Sequence, residues 1–281
     1  MMFTVFVGML LSTQGAIPWR VMLFGPLGIA LVAGAAAALN HLVDQRIDAI
    51  MARTRARPLP RGALDGARVF AFAATIGLAG MALLMVFTNA LCAVMTLASL
   101  VGYAVVYSVF LKHATPHNIV IGGAAGAAPP LLGWVAVSGQ LDPGALVLFL
   151  IIFVWTPPHF WALAIHRRDD YARADVPMLP VTHGVAFTSG RIVGYTVALV
   201  LVTLVPLLIG MSGWLYLAGA LLLGGRFMWF AWRLRTDSLQ AMPMFRYSIV
   251  YLFTLFAVLL ADHYLQGAAG VTALASAFAA R

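Results

Sequence analysis

A chain of 281 residues is long enough for one or two soluble domains, but with 63% hydrophobic and 9% charged residues it falls outside the soluble class and reads as an integral membrane protein. The formal charge of +8 does not mark a nucleic-acid binder, because the basic residues lie in short loops between apolar runs and not on a soluble face. The single cysteine, Cys92, excludes an internal disulfide and is expected to pack as a small apolar residue.

Taken in chain order, the apolar runs predict nine membrane spans near residues 1–13, 20–45, 67–87, 90–110, 117–137, 144–166, 190–210, 213–233 and 246–265. The fold class is therefore an all-α membrane bundle forming a single domain over 1–281. The opening MMFTVFVGMLLS lacks a basic flank and a clear small-residue cleavage pattern, so it reads as a short first span and not as a removed signal peptide. The second span ends in the most informative stretch, LNHLVDQRIDAIMARTRARPLPRG. Asn40, Asp44 and Asp48 recur every fourth residue there, so on a helix each step rises about 6 Å and turns only about 40°, forming one stripe of oxygen ligands. Hard cations such as Mg2+ favour carboxylate and carbonyl oxygens and keep waters and substrate phosphates in their other positions. Membrane helices seldom carry ionisable groups outside pathways and sites, which favours a functional stripe over a solvated helix end. Arg46, Arg53, Arg55, Arg57 and Arg61 follow at once and can grip phosphate oxygens, although basic residues beside a span are also expected from topology alone.

The charges give an independent check on the span count. Of the 17 Lys and Arg residues, all but Arg20 and Arg281 fall in or beside the loops after spans two, four, six and eight, which the positive-inside rule assigns to the cytoplasm. The N-terminus is then inside and the C-terminus outside. All nine acidic residues are aspartates, and all but Asp142 and Asp262 lie on that same side, which places the chemistry at the cytoplasmic surface. Lys112 ends span four beside Tyr103 and Tyr107. As the one lysine in the chain it reads as a compact charge for a diphosphate, or as a plain topogenic charge.

Span five, NIVIGGAAGAAPPLLGW, concentrates glycine and alanine. Gly122 and Gly126 fit the small-xxx-small pattern of close helix packing, and the missing side chains could equally leave room for a flat ligand or an isoprenoid tail. Span six contains two prolines in WTPPHFW, expected to free backbone groups and bend the helix into a cavity wall. If the helix continues, His159, His166 and Asp170 share one stripe. After span six, DDYARADVPMLPVTHG echoes the loop after span two in its aspartates, arginines and prolines, and four intervening spans bring both to the same side. No serine, cysteine or zinc hydrolase pattern, P-loop or dinucleotide glycine motif occurs in a fitting context. Trp19, Trp134 and Trp214 read as interfacial belt residues.

The ordered set NHLVDQRID, RTRARPLP, TPHNIVIGGAAGAAPPLLGW, WTPPHFWALA and DDYARADVPMLP closely resembles the protohaem IX farnesyltransferase (haem O synthase) family, within the UbiA superfamily of intramembrane prenyltransferases. The resemblance covers most of the chain. It implies a nine-helix bundle around a cavity open to the cytoplasm, and transfer of the farnesyl group of farnesyl diphosphate to a vinyl group of haem b, with water added, to give haem O. It implies Mg2+ held through Asn40, Asp44 and Asp48 and through a second acidic motif at Asp169 and Asp170. It also implies that Arg53, Arg57 and Lys112 complete a clamp on the diphosphate. His159 and His166 are the candidates for orienting haem or handling the proton and water. The implied setting is the bacterial inner membrane, and the implied successors are haem A synthase or the assembly of a haem-copper oxidase. Two departures stand out: Asp175 occupies a place where the family usually has glycine, and the N-terminus lacks the usual basic, proline-containing lead. Two rival readings share parts of the pattern. One is a UbiA-type enzyme acting on an aromatic or quinone precursor; the other is a non-catalytic haem or isoprenoid transporter.

Overall fold

The computed structural model describes the backbone of residues 1–51 and 54–279, and the side chains of these up to residue 267 other than His113. The described chain is helical throughout its membrane portion. Its helices are α1 (Met2–Leu11), α2 (Trp19–Val43), α3 (Gln45–Ile50), α4 (Gly66–Phe87) and α5 (Ala90–Leu111), then α6 (Asn118–Ser138) and α7 (Pro143–His166). They continue with α8 (Arg168–Arg173), α9 (Gly184–Val202), α10 (Trp214–Leu234) and α11 (Ala241–Ala279).

Eight of the described helices are long and apolar enough to cross a membrane. The expected first span is the exception. The 10 residues of α1 rise only about 15 Å, half a hydrocarbon core of about 30 Å. The reason for its place is packing: a Cβ on Gly8 would lie 2.0 Å from the Pro130 carbonyl oxygen, and one on Gly133 would lie 2.1 Å from that of Val5. Backbone therefore meets backbone between α1 and α6. In the same way Gly28 of α2 and Gly80 of α4 face each other, a Cβ on Gly80 reaching 2.8 Å from the Gly28 carbonyl oxygen.

Local signals set the helix ends. Asn89 accepts from the Cys92 amide at 2.8 Å and starts α5, Gly139 ends α6 with φ +69, and Pro143 opens α7. The α7 helix runs unbroken through Pro157 and Pro158, with Thr156 donating to the Ile152 carbonyl at 2.8 Å. The second half of α5, Gly102–Leu111, is wound as a π-helix, a form that favours functional sites. Helices α6 and α7 form the buried centre, with α2, α4 and α5 on one flank and α9, α10 and α11 on the other. Away from the acidic end, Asp262 of α11 is buried and accepts from the backbone amides of Gly213 and Tyr216, capping α10 from a neighbouring helix. Trp19 and Trp214 are exposed as a belt requires, whereas Trp134 is buried and donates to Asp142 at 2.8 Å.

Candidate active site

Asn40 lies near the end of α2, Asp44 at the join and Asp48 in α3. The hydrogen-bond ladder survives the join, with the Asp44 amide donating to the Asn40 carbonyl at 2.9 Å and the Asp48 amide to that of Asp44 at 2.8 Å. The stripe read from the sequence is thus kept. Both carboxylates are buried, each 4% exposed, a costly placement in a membrane protein without a counter-charge. Lys112 supplies one at 2.6 Å from an Asp44 oxygen, and Arg57 the other at 2.6 Å from an Asp48 oxygen. The loop that brings Arg57 back is pinned by Thr54, which donates to the Asp48 carbonyl at 3.0 Å, and by Gln45, which donates to that of Leu59 at 3.3 Å. Arg53 lies outside the described residues.

The π-wound half of α5 supplies the facing wall. Ser108 accepts from the Asn40 amide nitrogen at 2.8 Å and donates to the Tyr103 carbonyl at 2.8 Å. Asn118, fully buried, donates to the Lys112 carbonyl at 3.0 Å. The Tyr103 and Tyr107 rings stack at 5.6 Å, and Gly122 leaves the space for Tyr107, since a Cβ there would sit 2.2 Å from the ring. Tyr107 lies within electrostatic reach of both Asp44 and Tyr171, so the segment after α7 comes to the same end of the bundle. There Asp169 and Asp170 line a cavity of about 340 Å3 with His166, Arg167, Arg168 and Arg173, and Arg173 contacts Asp170 at 3.3 Å.

The expected histidine stripe divides. His166 is exposed beside the second acidic pair, where α7 ends and α8 begins. His159 is buried between the rings of Trp155 and Phe245, at 4.1 and 4.6 Å, and its Nδ1 lies 2.6 Å from the Ser248 hydroxyl. Asp175 has φ +52 and is exposed. It holds a left-handed turn that glycine adopts freely, which is the physical reason a glycine suits this position. Sequence reading passed over Ser108, Asn118 and Thr54, because short polar residues in a membrane helix or tight loop carry no spacing signal of their own.

An apolar cavity of about 310 Å3 starts beside Tyr103 and runs between α2, α5 and α6, past Ala33, Ala36, Ala37 and Gly126. Tyr103, within electrostatic reach of Asp44 and Arg57, is thus shared between the charged cluster and a cavity whose own lining carries no charged side chain. The span-five glycines differ in what they face. Gly122 and Gly133 admit close neighbours, whereas a Cβ on Gly126 would meet nothing.

The model of the UbiA prenyltransferase family matches residues 1–255. The chain belongs to that family. Among its relatives in the UbiA family, the protoheme IX farnesyltransferase of Azotobacter vinelandii is 62% identical over 94% of this chain and 89% of that protein. Protoheme IX farnesyltransferase 1 of Pseudomonas aeruginosa PAO1 is 59% identical over the same shares. The UbiA fold itself is shared with solved structures. One of a digeranylgeranylglyceryl phosphate synthase has TM-score 0.79 at 18% identity over 93% of this chain and 92% of that one. A UbiA homologue from Archaeoglobus fulgidus, bound to GPP and Mg2+, has TM-score 0.63 at 14% identity over 92% and 94%.

The donor set fits a hard cation. One Asp44 oxygen is taken by Lys112, and the other is buried with no hydrogen-bond partner, an unsatisfied acceptor of the kind a bound cation relieves. Among the described residues no three His, Cys, Asp or Glu side chains converge closely enough to hold an ion by themselves. A shell completed by water and substrate phosphate oxygens, as Mg2+ prefers, is the form that matches.

Proposed function

We infer that the protein transfers the farnesyl group of farnesyl diphosphate to a vinyl group of haem b, with addition of water, giving haem O and diphosphate. The observation that carries this reading is the buried pair of ion pairs, Asp44 with Lys112 and Asp48 with Arg57, set beside an apolar cavity. Relatives at 59–62% identity that bear the farnesyltransferase name support the choice of substrates.

Asn40, Asp44 and Asp48, with Asp169 and Asp170, would hold Mg2+, which would supply Lewis-acid charge to the leaving diphosphate. Lys112 and Arg57 then do what the ion pairs prepare them for. In the free protein they neutralise two buried carboxylates, and with substrate present their positive charge also stabilises the negative charge that grows on the diphosphate as its bond to prenyl C1 breaks. Arg53 is proposed to join them. The apolar cavity holds the prenyl chain and keeps water from the allylic cation until the electron-rich vinyl group attacks. His166, exposed among Asp169, Asp170 and Arg173, is the candidate for orienting haem or handling the proton. The setting of His159 points to packing instead.

We further propose that the charged end faces the cytoplasm of a bacterial inner membrane, with the C-terminus outside, as the distribution of basic residues favours. Haem A synthase or a haem-copper oxidase would then receive the product. The decisive assay incubates membranes containing the protein with haem b, farnesyl diphosphate and Mg2+ and looks for the mass of haem O. Alkylation of a hydroxybenzoate with no haem product would replace this reading with the quinone-precursor one.

A further inference from the structure

We propose that Ser108 is a positioning residue that fixes which face Asn40 shows to the metal. The argument rests on counting protons. A serine hydroxyl has one proton, and that of Ser108 goes to the Tyr103 carbonyl at 2.8 Å. Toward Asn40 it is therefore an acceptor only, and the partner at 2.8 Å has to be the amide NH2. That leaves the Asn40 carbonyl oxygen turned away from Ser108, and among the described residues nothing donates to it.

An asparagine amide can flip, presenting either an acceptor or a donor. Only the acceptor face serves a cation, so a flipped Asn40 would set two N–H bonds against the metal's charge. Ser108 is fully buried, in a π-wound segment where the Tyr103 carbonyl, which the i→i+5 ladder gives to the Ser108 amide, also accepts the Ser108 hydroxyl proton at 2.8 Å. The hydroxyl and the amide face form one device.

This rests on the proposed Mg2+ site, and the test separates the two. Bind farnesyl diphosphate to the purified protein by calorimetry across a Mg2+ titration, and repeat with Mn2+ followed by electron paramagnetic resonance. Partners that orient metal ligands are worth 10- to 100-fold in metal affinity. Ser108→Ala should raise the half-saturating Mg2+ concentration about 10-fold while kcat at saturating Mg2+ stays close to that of the unaltered protein, and Ser108→Thr should restore the original value. In an Asn40→Asp background, where both faces are acceptors, Ser108→Ala should change the half-saturating concentration less than twofold. If the unaltered protein binds farnesyl diphosphate without Mg2+, the metal site itself is wrong. If it needs Mg2+ but Ser108→Ala leaves the half-saturating concentration unchanged, or lowers only the melting temperature, Ser108 does not position Asn40.

Discussion

Asp44 and Lys112 show how far a single residue can be assigned here. The carboxylate is buried and its counter-charge comes from a residue 68 positions away, so removing one partner strands the other. Lys112→Met should therefore destabilise the protein by about 3 kcal/mol through the uncompensated Asp44, and Asp44→Asn in the same chain should recover most of that loss in a thermal melt. Haem O formation should stay abolished in the double variant, because stability and leaving-group charge are separate demands on the same pair. A melt that the second change fails to raise would show that the pair is not what sustains this end of the fold. Asp175 is a second case. Its left-handed φ of +52 costs a non-glycine residue about 1 kcal/mol, so Asp175→Gly should leave the melting temperature unchanged or raise it slightly while leaving haem O formation intact. A large loss of turnover would instead make Asp175 part of the second acidic motif.

At the level of elements, the glycines of α6 divide packing from space. The Tyr107 ring lies where a Gly122 Cβ would sit, while Gly126 borders the open cavity. Gly122→Ala is expected to cost about 1–3 kcal/mol by overpacking and to displace Tyr107 from its place beside the acidic stripe, lowering kcat. Gly126→Ala should be nearly neutral in stability, and Gly126→Leu should raise the KM for farnesyl diphosphate by filling the cavity. Equal effects at Gly122 and Gly126 would show that the two positions do not differ. The sequence pattern already pointed to both uses of small residues. It could not say which glycine served which, because that depends on the side chain across the helix interface and not on the spacing within one helix.

For the whole molecule, the arrangement of charged loops predicts an orientation that labelling can read directly. Cys92 is fully buried and should stay silent, so cysteines placed at Arg61 and at Gln140 can be tested one at a time in intact cells with a membrane-impermeant maleimide. Gln140 should label from outside and Arg61 only after the cells are opened; the reverse pattern would overturn the cytoplasmic placement of the site.

The sequence by itself determined the membrane class, nearly all the long helices, the family and the acidic stripe, because each is written in local periodicity, hydrophobic length or a contiguous motif. It counted α1 as a ninth span, although that helix stops at Leu11, where the apolar run gives way to Ser12, Thr13 and Gln14 after only 10 residues. Only the tertiary structure decided that Lys112 answers Asp44 and Arg57 answers Asp48. It alone withdrew His159 into an aromatic sandwich and placed Ser108 over Asn40. Such pairings join residues far apart in the chain, and they depend on distances that no spacing within one segment can encode.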